Sequence, residues 1–209
     1  MTEAASPSSA PAELVSFVPR LTIEWLRSTP DELWREVEGT VAFIDISGFT
    51  AMSEKLSSQG RAGAEEVTEV MNATFAALLA VAYAQGGGLL KFGGDALLLL
   101  YEGEDHASRA ARAAFEMRRT LRTIGRPRTS VGAVQLKMHA GLHSGRFQFF
   151  LVGESHRELL ISGPSASATV TMESASEAGE ILLSTGTGTR RIGRARRREG
   201  GRHAPPCGA

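Results

Sequence analysis

Residues 43–50 read Phe43-Ile44-Asp45-Ile46-Ser47-Gly48-Phe49-Thr50, an apolar run interrupted by one acid and ended by a glycine. The run Thr40–Ile46 predicts a buried strand, and Ser47-Gly48 predicts a turn into a helix that ends near Leu56. Such a turn leaves backbone N–H groups free at the helix N-terminus, where they attract phosphate. A carboxylate beside them can hold Mg²⁺ that bridges to the phosphate. Asp45 is therefore the first candidate metal ligand.

A second acidic side chain, Asp95, lies at the tip of a predicted hairpin. The apolar runs Leu89–Phe92 and Ala96–Tyr101 are joined by Gly93-Gly94-Asp95, which is typical of two antiparallel strands. If these strands neighbour the first one, Asp45 and Asp95 meet at one edge of the sheet. Two carboxylates there repel each other unless cations lie between them, so the pair predicts two Mg²⁺ or Mn²⁺ ions. Taken singly, each motif is more often only a helix cap or a turn.

The remaining pattern predicts one α+β domain. The chain has 209 residues, of which 42% are hydrophobic and 22% charged, as in globular proteins. Between Leu14 and Val37 the apolar residues fall largely at helical spacing, and Thr29-Pro30-Asp31-Glu32 is typical of a helix start. Strand pairs joined by tight turns and mixed with helices predict a mainly antiparallel sheet with helices on one face. Further helices are predicted over Ala62–Ala84, Asp105–Arg122 and Gly163–Glu177, and further strands over Leu136–Leu142, Phe147–Val152, Leu159–Ile161 and Glu180–Ser184.

The two ends of the chain differ in composition from its body. Residues 1–12 indicate a flexible arm, 13–37 an N-terminal helical segment and 38–185 the folded domain. The last segment, 186–209, has no apolar period and is predicted to be a disordered Arg-rich tail, or the scar of a truncated or frame-shifted reading frame. Its arginines are Arg190, Arg191, Arg194, Arg196, Arg197, Arg198 and Arg202.

Charge and cysteine content restrict the partners and the compartment. Lys+Arg and Asp+Glu number 23 each, a balance that favours neither nucleic acid nor a membrane surface as partner. Cys207 is the only cysteine, so no internal disulfide can form. No apolar run approaches the roughly 18 residues of a membrane span, and the N-terminus lacks the basic region of a secretory signal. We therefore expect a cytoplasmic protein without a membrane span.

Four motifs resemble those of class III nucleotide cyclases, the adenylyl and guanylyl cyclases. Residues 43–50 are similar to the first-aspartate motif of that family, and Lys91–Ala96 to its Lys-x-x-Gly-Asp hairpin. His139–Gly145 resembles its Gly-x-His-x-Gly strand turn, and Glu180–Ser184 resembles the strand after its last helix. The motifs follow the family's order over about residues 38–185. The similarity is closest to the first catalytic half of soluble adenylyl cyclases.

The resemblance implies a ferredoxin-like cyclase fold and a two-metal reaction. Asp45 and Asp95 would bind two Mg²⁺ or Mn²⁺ ions, with the Ile46 carbonyl as a further ligand. Gly48, Phe49 and Thr50 would hold the triphosphate through their backbone N–H groups. The substrate would be ATP, favoured over GTP, and its 3′-hydroxyl would attack the α-phosphate to give a 3′,5′-cyclic nucleotide and pyrophosphate. Positioning and charge stabilisation would supply most of the catalysis.

The resemblance also implies that half of the site is missing. In this family the site lies between two domains, and the opposite domain supplies a base-reading Lys with an Asp or Thr, a ribose-positioning Asn and a transition-state Arg. Lys91 fits the lysine, but Leu160, Ser167 and Thr171 stand at the other three positions. Leucine cannot hydrogen-bond a purine, and threonine cannot neutralise a phosphoryl oxygen. A second cyclase domain, in cis or in trans, is expected to complete the site; in a homodimer both sites would lack these groups.

Two other functions remain open from the sequence. A catalytically inactive regulatory module that binds nucleotide or a partner domain is favoured by Ser167 and Thr171 and opposed by the two retained aspartates. A diguanylate cyclase is suggested by Gly93-Gly94-Asp95, but the further acid or Phe of that family is replaced by Ala96. His139 and His143 are expected to point to similar sides, and structural roles are favoured over metal ligation for both.

Overall fold

The computed structural model of the chain describes residues 18–154, 157–185 and 188–192. The predicted arm 1–12, the start of the N-terminal segment and residues 193–209 of the Arg-rich tail lie outside these ranges.

The described residues form one large sheet and a two-stranded hairpin. The large sheet has seven strands in the order β2-β3-β1-β6-β8-β9, with β7 paired to β6, and every pairing is antiparallel except β6 with β8. Its strands are β1 Trp34–Ser47, β2 Gly87–Gly93, β3 Ala96–Glu102, β6 Lys137–Val152, β7 Glu158–Ser162, β8 Ile181–Thr185 and β9 Gly188–Ile192. The hairpin pairs β4 Arg128–Thr129 with β5 Gly132–Ala133. The helices are α1 Arg20–Ser28, α2 Phe49–Ser57, α3 Arg61–Ala84, α4 His106–Ile124 and α5 Pro164–Ser174.

The larger core lies between the sheet and helices α2, α3 and α4. Because side chains alternate along a strand, Ile44 and Ile46 of β1 both face this core and are fully buried. Helix α4 contacts the sheet through a stripe at a spacing of three to four residues that includes Ala110, Ala113 and Met117. The predicted α+β class and mainly antiparallel sheet are confirmed, with these three helices on one face as expected.

The opposite face of the sheet carries a smaller core and the two remaining short helices. Trp25 of α1 is fully buried there against residues such as Val41 and Phe147. Helix α5 packs closely on the same face at Gly141 of β6. A Cβ at this position would lie only 2.0 Å from the backbone nitrogen of Glu173 in α5. The close approach that this glycine permits brings α5 onto the sheet beside the end of β1.

Three local predictions are wrong. The expected helix start at residues 29–32 is a turn, in which the Glu32 N–H donates to the Thr29 carbonyl at 3.2 Å with Pro30 at the position that turns favour. Strand β1 therefore begins at Trp34, inside the segment predicted to be helical. Residues 143–145 do not turn but continue β6, since Gly145 pairs with Gly39 across the sheet. The predicted tail contributes strand β9, which pairs with β8.

Helix α3 has the length and composition of a membrane-spanning helix, with 24 residues and a mean hydropathy of 1.4 over its most apolar 18-residue window. Its side chains Phe75, Leu78 and Ala82 pack in the larger core. Core helices of folded domains meet the same criterion, so this single helix is weak support for a membrane span.

Candidate active site

Asp45 and Asp95 lie at the same edge of the sheet. Strands β1 and β3 are neighbours, and Asp45 pairs with Ala96, the residue that follows Asp95. The backbone N–H of Ile46 donates to the carbonyl oxygen of Asp95 at 3.3 Å. The end of β1 is thus joined directly to the tip of the β2–β3 hairpin, and the two carboxylates are neighbours.

The charge balance around Asp45 suits cations. Burial raises the pKa of Asp45 above its ordinary value, the charge of His139 lowers it, and the carboxylates of Asp95 and Glu173 raise it further. Three acidic groups therefore interact at one partly buried place. Carboxylate oxygens crowded in this way are the donors that divalent cations bind, so the residues present fit a metal site.

The turn after β1 requires glycine. Gly48 has a φ of +95°, and a Cβ at this position would lie 2.7 Å from the carbonyl oxygen of Gln135. Helix α2 begins at the next residue, so the N–H groups of its first turn lack partners within the helix. Phe49 packs its ring against Phe75 with centroids 6.1 Å apart, which leaves its backbone for the site. Thr50 Oγ1 donates to Asp95 Oδ2 at 3.0 Å, which ties this turn to the second aspartate.

A groove of about 670 Å³ lies on the face of the sheet that carries α5. It brings together Lys91 of β2 with Ser167 and Thr171 of α5, over a floor that includes Val41 and Leu98. The Ser167 hydroxyl donates to the Gly163 carbonyl at 3.4 Å, and the Thr171 hydroxyl donates to the Ser167 carbonyl at 2.9 Å. Both hydroxyls are thus bonded to backbone carbonyls four residues earlier, and neither residue brings a positive charge to the groove.

Leu160 lies apart from this groove. It pairs with Phe150 on β6, whereas its neighbour Ile161 pairs with Phe149, faces the smaller core and lines the groove. Successive side chains of a strand point to opposite faces. The side chain of Leu160 is accordingly exposed on the other face.

Sequence reasoning missed the partner of Lys91. The Lys91 ammonium forms an ion pair with the carboxylate of Glu158, at the start of β7. The two residues lie on different strands, and both side chains are about half exposed. Because they are 67 positions apart in the chain, only the folded sheet could reveal this contact.

Sequence reasoning also missed a cluster behind Asp45. His139 of β6 pairs in register with Asp45, and its ring lies between the carboxylates of Asp45 and Glu173. One ligand atom of each of these three residues lies within 4.8 Å of the other two. His143 faces the same side of β6, as expected, but its buried Nδ1 has no hydrogen-bond partner within the described part of the chain. Burial lowers the pKa of His143.

Fold and site together define a nucleotide cyclase catalytic domain. The family model of the adenylate and guanylate cyclase catalytic domain matches residues 35–195, and the chain therefore belongs to that family. The resemblance inferred from the four motifs is confirmed.

Individual relatives agree with this assignment. Human adenylate cyclase type 10 is 28% identical over 151 residues, which cover 70% of this chain and 9% of that protein. The adenylyl cyclase CyaB from P. aeruginosa is 27% identical, with a TM-score of 0.61 over 72% of this chain and 78% of that one. The guanylate cyclase domain of RhGC from Catenaria anguillulae, solved in complex with GTP, has the same identity and TM-score over 72% and 80%. The chain spans about a tenth of the length of the first of these relatives.

Proposed function

We propose that this domain converts ATP, in preference to GTP, to a 3′,5′-cyclic nucleotide and pyrophosphate with the help of two Mg²⁺ or Mn²⁺ ions. The observation that carries the proposal is the junction of β1 and the β2–β3 hairpin, where Asp45 and Asp95 lie beside the N-terminus of α2. Carboxylates next to free backbone N–H groups are the donors that a metal-bound triphosphate needs.

Each part of this junction has a separate task in the proposal. Asp45, Asp95 and the Ile46 carbonyl hold the cations, and the N–H groups of residues 48–50 bind phosphate oxygens. When bound, the cations lower the pKa of the attacking 3′-hydroxyl and stabilise charge at the α-phosphate. The partly buried position of Asp45 and its backbone link to Asp95 hold the carboxylates in place before substrate arrives.

We further propose that the isolated chain is incomplete. Ser167 and Thr171 lie in the groove with Lys91, but their hydroxyls are bonded to the backbone carbonyls of Gly163 and Ser167. Neither can replace a positioning amide or an arginine. A second cyclase domain that supplies these groups, in cis or in trans, would complete the site, and Lys91 would then line either a base pocket or a degenerate pseudosite.

Substrate and compartment follow from the same reasoning. The similarity of Lys91 to a base-reading lysine, together with the adenylate cyclase among the relatives, supports ATP rather than GTP. A cyclase that consumes ATP to make a signalling nucleotide would act in the cytoplasm. Production of cyclic AMP from ATP and not of cyclic GMP from GTP, by this chain mixed with a complementing domain, tests the choice of substrate.

A catalytically inactive regulatory module is the second candidate, and the side chains of Ser167 and Thr171 favour it. The two functions are separated by metal-dependent turnover in a mixture with a complementing domain whose own metal aspartates are replaced by Asn. Turnover that requires Asp45 and Asp95 supports the cyclase, and nucleotide binding without turnover supports the regulatory module.

A further inference from the structure

His139 faces the metal edge, the edge of the sheet that carries Asp45 and Asp95, through its Nδ1 atom. This nitrogen lies 3.6 Å from Asp45 Oδ2 and 3.2 Å from Ser47 Oγ. The other ring nitrogen, Nε2, lies 2.9 Å from Glu173 Oε1. The ring is therefore held between β1 on one side and α5 on the other.

Glu173 determines which ring nitrogen carries the proton. An ionised carboxylate only accepts hydrogen bonds, so Nε2 is the donor and a neutral ring keeps its lone pair on Nδ1. Without a cation, the Ser47 hydroxyl can donate to this lone pair, and a bound cation would take its place. A carboxylate that holds one nitrogen of a histidine while the other faces a cation is the usual arrangement at protein metal sites.

The spacing of the facing atoms also suits a cation. Two ligand atoms about 2.0–2.2 Å from one metal lie roughly 3–3.5 Å from each other, close to the 3.6 Å that separates Nδ1 from Asp45 Oδ2. Asp45, His139 and Glu173 are all less than a third exposed. Little movement is needed for Nδ1 and Asp45 Oδ2 to share one ion.

We propose that His139 Nδ1 is a nitrogen ligand for a cation at Asp45, that Glu173 orients it, and that it shifts the metal preference of this edge from Mg²⁺ towards Zn²⁺ and Co²⁺. The inference rests on the proposed function in one respect, the binding of a cation by Asp45. Mg²⁺ favours oxygen ligands, whereas imidazole nitrogen favours the later transition metals. The nitrogen ligand from His139 thus raises the affinity of this site for Zn²⁺ and Co²⁺ relative to Mg²⁺.

Pulsed electron paramagnetic resonance of Mn²⁺ bound to the nucleotide-free chain tests the proposal directly. A ¹⁴N coupling from imidazole is expected in the unmodified chain and should disappear in His139→Gln. It should persist in His143→Gln, the matched histidine on the same strand. Loss of the coupling in His139→Gln alone also excludes every other histidine of the chain as its source. No coupling in the unmodified chain, or an unchanged coupling in His139→Gln, would overturn the proposal.

Two further variants keep the test independent of folding and of the cyclase reaction. Glu173→Gln keeps the ligand but removes the charge behind it, so Zn²⁺ affinity in competition with Mg²⁺ should fall by about 10-fold, the lower end for such partners. An unchanged Zn²⁺ affinity would contradict the role of Glu173. Asp95→Asn should weaken Mn²⁺ binding and abolish turnover in a mixture with a complementing domain, but Mn²⁺ bound at saturating concentration should keep the ¹⁴N coupling. Turnover that depends on Asp45 and Asp95 without any ¹⁴N coupling would refute the inference and leave the proposed function intact.

Discussion

The N–H of Ile46 donates to the carbonyl of Asp95 at 3.3 Å and so joins the end of β1 to the tip of the β2–β3 hairpin. This contact extends the pairing of β1 with β3, which brings together two acidic residues that lie 50 positions apart in the chain. A shift of one residue in the pairing of β1 with β3 would turn Asp45 towards the larger core. The buried residues Ile44 and Ile46 therefore set the geometry of the metal edge.

Replacement of either aspartate should weaken metal-dependent nucleotide binding and abolish any turnover. Asp45→Asn and Asp95→Asn each remove a charged ligand from the same place, while the amide keeps the shape. Titration calorimetry with Mn²⁺ and a non-hydrolysable ATP analogue measures the loss. Asp31→Asn, on the exposed loop before β1, is the matched control and should bind as the unmodified chain does. Unchanged metal dependence in both site variants would show that the two residues are only structural.

Gly48→Ala should destabilise the fold more than Gly179→Ala does. Both glycines have nearly the same positive φ, +95° and +94°, which costs an L-residue about 1–2 kcal/mol. A Cβ at residue 48 would also lie 2.7 Å from a backbone oxygen, whereas one at residue 179 would meet nothing within 4 Å. Urea unfolding of the two variants measures the difference in free energy. Equal losses would show that Gly48 is not held against residue 135.

Metal-free Asp45→Asn should be more stable than the unmodified chain at neutral pH. The pKa of Asp45 is raised in the folded state, chiefly by burial, so its protonated form is favoured by folding. Protonated Asp45 therefore stabilises the folded state at pH values below the ordinary pKa of 3.8. This stabilisation is lost as the pH rises through the raised pKa that Asp45 has in the folded state. The advantage of the Asn variant should therefore vanish in acid. Urea unfolding of both proteins from about pH 3 to 7 measures the difference in their free energies of unfolding. A stability advantage of the Asn variant that grew as the pH fell would refute the prediction.

Restoring the missing groups should increase activity. Ser167→Asn combined with Thr171→Arg places an amide and a positive charge one turn apart on α5, in the groove that Lys91 also lines. The double variant should raise the turnover of any homodimer by at least about 10-fold. Loss of one preorganised donor typically lowers kcat by a factor of about 10²–10³. Thr123→Arg, at the exposed end of α4, controls for the added charge. An equal rise in the control would assign the effect to charge alone.

Much of the metal edge could be predicted from the sequence, because its residues lie in local motifs. Asp45 ends an apolar run and Asp95 follows two glycines, and each pattern predicts its own strand and turn. The extent of β1 could not be predicted in this way, since Trp34 and Val37 also fit a helical period. Their extended form depends on pairing with Phe150 and Phe147 of β6, which local spacing does not reveal.

The groups around the two aspartates escaped prediction for a similar reason. His139 gains its neighbours through the register of β6 against β1, and Glu173 reaches it because Gly141 lets α5 approach the sheet. Glu158 meets Lys91 only when β7 has added to the sheet. Strand β9 was unexpected because its arginine-rich sequence lacks an apolar alternation, and its pairing with β8 is a backbone interaction.

Cyclase turnover of the purified chain, alone and mixed with a complementing domain, tests the central claim most directly. The complementing domain should carry the positioning Asn, the Arg and the base-reading pair, but Asn in place of its own metal aspartates. With Mn²⁺ and ATP, the chain alone should remain near background and the mixture should make cyclic AMP, and Asp45→Asn or Asp95→Asn in this chain should abolish that activity. Turnover by the chain alone as fast as by the mixture, or a mixture unaffected by both substitutions, would contradict the account.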